Sequence, residues 1–135
     1  MATKIFINLP VADLQKAKAF YTTIGFTNNP QFSDETGACM VLTEAIYVML
    51  LTHAKFSEFT KKEIGDTTKT TSVINSLSVD STEDVNALLE KVLNAGGNET
   101  NEPKDFGFMQ LRSFEDLDGH HWEVFYMDIT KFPQQ

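Results

Sequence analysis

The richest run of reactive side chains is His120-His121-Trp122-Glu123-Val124-Phe125. On a strand, successive side chains alternate faces, so His121, Glu123 and Phe125 share one face and His120, Trp122 and Val124 the other. A carboxylate and an imidazole two positions apart on one face suit general acid and base work, whereas adjacent histidines on opposite faces cannot hold one metal ion. Other polar groups stand within or at the ends of strand-like stretches: Asn8 in KIFINL, Thr52 and His53 closing IYVMLLTH, Ser76 in VINSLSV and Arg112 in MQLRSF. Arg112, Asn8 or a hydroxyl is a candidate partner for Glu123. Cys39, between Ala38 and Met40 with no His or Lys beside it, reads as a buried inert thiol.

Two similar series of elements must position these groups. Residues 4–9 are β-prone, and Asp13 caps a helix whose apolar positions Leu14, Ala17, Phe20, Tyr21 and Ile24 follow the 3.6 period before Gly25 ends it. Strands are expected over Phe26–Phe32, Ala38–Thr43 and Ile46–Thr52. The order β-α-β-β-β then recurs: a strand over Val73–Val79, a cap at Ser81 or Thr82, and a helical face of Val85, Leu88, Leu89, Val92 and Leu93 that stops at Gly96-Gly97. Strands follow over Asn98–Glu102, Phe108–Phe114 and His121–Tyr126. The expectation is an α+β fold of two βαβββ modules, about 1–53 and 72–130, within one domain spanning 1–135. Residues 54–71 form a polar linker with a short helical start, long enough for a lid or a dimer arm.

The chain has 135 residues, 41% hydrophobic and 22% charged, which fits one globular domain large enough to enclose a small ligand. A single cysteine excludes a disulfide scaffold, and a net charge of −8 would repel nucleic acid at long range. The amino terminus lacks an apolar signal core, and no run approaches the ~18 apolar residues of a membrane span. The expectation is a soluble cytoplasmic protein with neither nucleic acid nor membrane as partner, and a homodimer closed through the linker and exposed sheet edges.

The stretches LPVADLQKAKAFYTTIGF (9–26) and FEDLDGHHWEVF (114–125) resemble the vicinal oxygen chelate superfamily, which includes glyoxalase I, extradiol dioxygenases, fosfomycin-resistance transferases and bleomycin-resistance proteins. INLPVADL, ACMVL, YVMLLTHAKF and FGFMQLRSF further resemble a bacterial group described as predicted lactoylglutathione lyases. The resemblance implies a glyoxalase-like curved sheet, with helices outside and a small-molecule cavity of the paired modules. It also implies four inward positions that carry metal ligands in the metal-dependent members, here Phe6, Leu50, Ile74 and Glu123. Three of these have no donor atom, so neither metal nor other cofactor is expected.

With those four positions inward, the same faces carry Asn8, Val48, Thr52, Ser76, Ser78, His121 and Phe125. Ile5, Ile7, Tyr47, Met49, Leu51, Val73, Trp122 and Val124 would pack under the helices. Glu123 and His121 are then the candidate catalytic pair, with Glu123 in apolar surroundings among Phe6, Leu50 and Ile74. Phe6, Asn8, Leu50, Thr52, His53, Ile74, Ser76, Arg112 and Phe125 are the candidate substrate-binding residues. The implied function is a metal-independent lyase or isomerase of the glyoxalase-like family; the alternative is a bleomycin-resistance-like protein that binds and sequesters a small molecule without catalysis.

Overall fold

A computed structural model describes residues 3–131. The chain forms two compact units, Met1–Thr70 and Thr71–Gln135. In the first, β1 (Ile5–Val11), α1 (Leu14–Thr23), β2 (Thr27–Asn29), β3 (Gly37–Thr43) and β4 (Ile46–Thr52) are followed by the short α2 (His53–Phe56). The four strands make one sheet in the order β1-β4-β3-β2, with β1 parallel to β4 and the other pairs antiparallel.

Helix α1 begins where the Asp13 carboxylate accepts from the Lys16 backbone N–H, satisfying a donor with no partner in the helix. It buries Leu14, Ala17, Phe20 and Tyr21 and packs on β3 and β4. It ends at Gly25, whose φ of 120° a side chain would resist, and Phe26 N–H closes the last turn onto the Tyr21 carbonyl at 2.9 Å.

The second unit repeats the plan with β5 (Ile74–Ser78), α3 (Thr82–Asn94), β6 (Asn98–Glu99), β7 (Lys104–Asp105), β8 (Met109–Glu115) and β9 (His121–Met127). Its sheet runs β5-β9-β8-β6, β7 also pairs with β8, and β5 is parallel to β9 as β1 is to β4. Ser81 caps α3 by accepting from Asp84 N–H. Val85, Leu89 and Val92 are buried, and α3 packs on β8 and β9. Beneath it lie Trp122 and Phe114, both buried, their rings near-parallel with centroids 6.3 Å apart. Burying an apolar side chain of this size contributes roughly 1.5–3 kcal/mol. The helix ends with Gly97 N–H on the Val92 carbonyl at 2.9 Å, the same closure as in the first unit. The architecture is α+β, with two βαβββ modules.

Three expected elements differ. The strand expected over Phe26–Phe32 stops at Asn29, because Pro30 opens a 3-10 turn over Pro30–Phe32 and the Asn29 side chain caps it, accepting from Gln31 N–H. The strand expected over Asn98–Glu102 is limited to Asn98–Glu99, and a separate pairing at Lys104–Asp105 follows Pro103. β1 continues past Pro10 to Val11; at the end of its sheet a missing N–H is tolerated.

Candidate functional site

In the second unit the β5–β9 register pairs Ile74 with His121, Ser76 with Glu123 and Ser78 with Phe125. Partners in register point to the same side of a sheet, so these six side chains form one face. Trp122 and Val124 point to the helix side, where both are buried. Ser76 Oγ donates to Glu123 Oε1 at 2.7 Å. His121 lies about 7 Å along the strand from Glu123, and its Nε2 is 3.5 Å from Thr100 Oγ1. From the opposite side, β8 brings Ser113 beside Glu123 and Leu111 beside Phe125.

Within its own sheet Glu123 therefore stands between two serines, and of the candidate partners Arg112, Asn8 or a hydroxyl it takes a hydroxyl, that of Ser76. Arg112 is not its partner. The register sets Arg112 opposite Val124, on the helix side of β8. There its guanidinium donates to both Glu99 oxygens at 2.9 Å and to Asn86 Oδ1 at 3.0 Å. Arg112 thus ties α3 and β6 to β8 and is withdrawn from the candidate face. His120 is buried, its backbone N–H donating to the Asp116 carboxylate.

The first unit requires a second correction. Phe6 pairs with Tyr47 and Asn8 with Met49, while Leu9 pairs with Leu50. Phe6 and Tyr47 stack with centroids 4.4 Å apart, which fixes them on one side. Phe6, Asn8, Tyr47, Met49 and Leu51 consequently share the open face. Val48 and Leu50 are fully buried on the helix side. The expected assignment for β4 is inverted, since a one-residue slip moves every side chain to the other face. Leu50 is core. Thr52 uses its hydroxyl to cap α2, accepting from Lys55 N–H, and His53 is the exposed first residue of that helix.

The open face carries a cleft of about 160 Å³, lined by Asn8, Met49 and Leu51 from the strands and Asp34, Thr36 and Gly37 from the loop into β3. Phe32, Lys55 and Phe59 complete its rim. The Asp34 carboxylate organises the loop, its Oδ1 accepting from Thr36 Oγ1 at 2.7 Å, Thr36 N–H at 2.8 Å and Gly37 N–H at 3.1 Å. The Thr36 hydroxyl, then the backbone donors and the nearby Lys55 ammonium, hold Asp34 below the usual carboxylate range. Of the cleft residues, only Asn8 stands among the side chains that residue type and strand position single out in the sequence; the Asp-x-Thr-Gly run 34–37 is the one sequence signal for the loop.

Residues 5–124 match the family described as the Glyoxalase/Bleomycin resistance protein/Dioxygenase superfamily. The chain belongs to this family. No curated protein matches it. Among solved structures, a hypothetical protein from S. aureus is 29% identical, with a TM-score of 0.78 over 93% of this chain and 94% of that one. A family enzyme from Burkholderia phytofirmans gives a TM-score of 0.79 at 16% identity, over 93% of this chain and 99% of its own. A fosfomycin resistance protein from Listeria monocytogenes gives 0.68 at 19% identity, over 100% and 96%. The last two likenesses concern the fold.

A divalent ion of the kind metal-dependent family members use does not fit these residues. Phe6, Met49 and Ile74 offer no oxygen or nitrogen donor from their side chains, and Leu50 lies in the core. A single carboxylate, Glu123, is a poor site for an ion that needs several hard or borderline donors. Among the described residues no group of three or more His, Cys, Asp or Glu could hold a metal. Among them also, no helix is long and apolar enough to cross a membrane.

Proposed function

We propose that this glyoxalase-family protein moves a proton next to the carbonyl of a small organic substrate, as a metal-independent lyase or isomerase, with Glu123 as the base. The observation that carries the reading is the Ser76–Glu123 hydrogen bond at 2.7 Å on the face that also presents Ile74, His121 and Phe125. Ser76 fixes Oε1 by its hydrogen bond, leaving Oε2 to take a proton. In the proposed step the substrate C–H proton passes to Oε2, the electron pair moves into the carbonyl as an enolate, and the proton returns to a neighbouring atom. His121 steadies the enolate oxygen by donating from its ring. Ile74 and Phe125 supply the apolar contact for the carbon skeleton.

The resemblance to predicted lactoylglutathione lyases directs the substrate search to small carbonyl compounds and their thiol adducts. A homodimer and a cytoplasmic place of action belong to the same proposal. The test is proton exchange: the protein is incubated in D2O with a panel of α-hydroxy and α-thio carbonyl compounds, and loss of the α-proton signal is followed by NMR. Exchange above the buffer rate supports an enzyme. Tight binding of a panel member without exchange or product supports the sequestering reading instead.

A further inference from the structure

We infer that Thr100 is a positioning residue, whose hydroxyl donates to His121 Nε2 and so holds the neutral imidazole with its proton on Nδ1. The inference deepens the proton-transfer reading, on which it rests for any effect on catalysis; the place of the proton can be read with no substrate present.

The backbone brings the two side chains to one face. Asn98 pairs with Glu115 and Glu99 with Phe114, and the Thr100 N–H carries this ladder one residue further, donating to the Ser113 carbonyl at 3.1 Å. Side chains alternate along a strand. Glu99 reaches Arg112 on the helix side, so Thr100 stands on the open side, in the row of Ser113, Glu123 and Ser76. From there its Oγ1 is 3.5 Å from His121 Nε2, across β8. Catalytic hydrogen bonds are often this long before substrate arrives and tighten in its complex.

The other neighbours leave this contact to set the tautomer. Ile74, opposite His121 on β5, is apolar. Glu115, opposite it on β8, accepts from Asn98 Nδ2 at 3.5 Å. Among the described residues Thr100 Oγ1 is the one hydrogen-bond partner of the His121 ring, and that ring is the one partner of the hydroxyl. A neutral imidazole has one donor and one acceptor nitrogen, and a threonine hydroxyl can serve either. Were the hydroxyl to accept from Nε2, the remaining nitrogen would carry a lone pair and repel an enolate oxygen. With the hydroxyl donating, Nε2 is the acceptor and Nδ1–H is the donor that a developing oxyanion requires.

The test reads the proton directly. Long-range 1H–15N correlation spectra of protein labelled with 15N-histidine are recorded at alkaline pH, where imidazoles are neutral, and His121→Asn identifies the His121 signals by their loss. The wild type should show the Nδ1–H form in excess. Thr100→Val, equal in size but without the hydroxyl, should move the balance toward Nε2–H roughly threefold to tenfold, the net worth of one hydrogen bond. It should slow substrate proton exchange by a similar factor, and Thr100→Ser should restore both. An excess of Nε2–H in the wild type, a balance unmoved in Thr100→Val, or Thr100→Val matching an active wild type in exchange would each overturn the inference. A wild type that exchanges no member of the panel would end the proton-transfer reading alone, and the substrate-free spectra would still decide where the proton sits.

Discussion

Ser76 and Glu123 face one another across the parallel β5–β9 pair, and the hydroxyl of the first is the hydrogen-bond partner of the second at 2.7 Å. A neutral partner on an open face gives Glu123 little structural duty. A buried ion pair would have given it much more.

Glu123→Gln is therefore expected to cost little stability. The amide keeps its size and can still accept from Ser76, so the loss should stay within about 1 kcal/mol, or a few degrees of melting temperature. Substrate proton exchange should fall at least about a hundredfold, the usual scale for a general base. Thermal melts run beside the exchange assay separate the two effects. A fall of about ten degrees with exchange unchanged would remove Glu123 from the proposed role.

Arg112→Met should behave in the opposite way. Its side chain and that of Glu99 are 22% and 23% exposed, so solvent weakens the pair, but both guanidinium edges are engaged. A loss on the order of 1–3 kcal/mol is expected, between an exposed and a buried pair, with exchange unaffected. Urea unfolding measures the first and the exchange assay the second.

The two faces of β4 can be told apart by truncation. Leu50→Ala removes a fully buried side chain and should cost about 2–5 kcal/mol. Met49→Ala, half-buried on the open face, should cost clearly less. Equal losses in denaturant midpoints would contradict the register described above.

Much of this fold is legible in the sequence, and the place where legibility fails is specific. The caps Asp13 and Ser81 and the stops Gly25 and Gly96 mark the two longer helices, α1 and α3, because each solves a local backbone problem that few residue types can solve. The alternation in HWEV (121–124) marks its faces, since polar and apolar side chains take turns. YVMLL offers no such contrast: every position is apolar, so only the pairing with β1 assigns Leu50 to the core. Arg112 misleads for a related reason. Its type suggests a ligand contact, while its long side chain reaches Glu99 and Asn86 from a position that parity places under the helix. The cleft residues Phe32, Asp34, Lys55 and Phe59 come from loops and a short helix, where no periodicity exists to read.

Acid should loosen the exposed turns. Asp34, Asp105 and Asp128 are all held below the usual carboxylate range, chiefly by side-chain hydrogen bonds from Thr36, Gln110 and Thr130 respectively. A folded value below the unfolded one means that their contribution is present above about pH 3.9 and is lost as pH falls through the lower folded values. Amide exchange at Thr36, Gly107 and Thr130, whose N–H groups these carboxylates accept, should accelerate relative to core amides over that window. Protection ratios that stay constant down to about pH 2 would contradict it.

The uniform β4 strand has a consequence for the life of the chain before it folds. Residues 46–51, Ile-Tyr-Val-Met-Leu-Leu, carry no charge, proline or glycine, the composition that stacks into intermolecular cross-β assemblies when left exposed. In the sheet this segment has β1 on one side and β3 on the other, so both of its backbone edges are occupied. Glu44 before it and Lys55 after it are charged flanks of the kind that oppose such stacking. Conditions that detach β1 or β3 would hand the same segment to a neighbouring molecule, and aggregation of this protein should begin there.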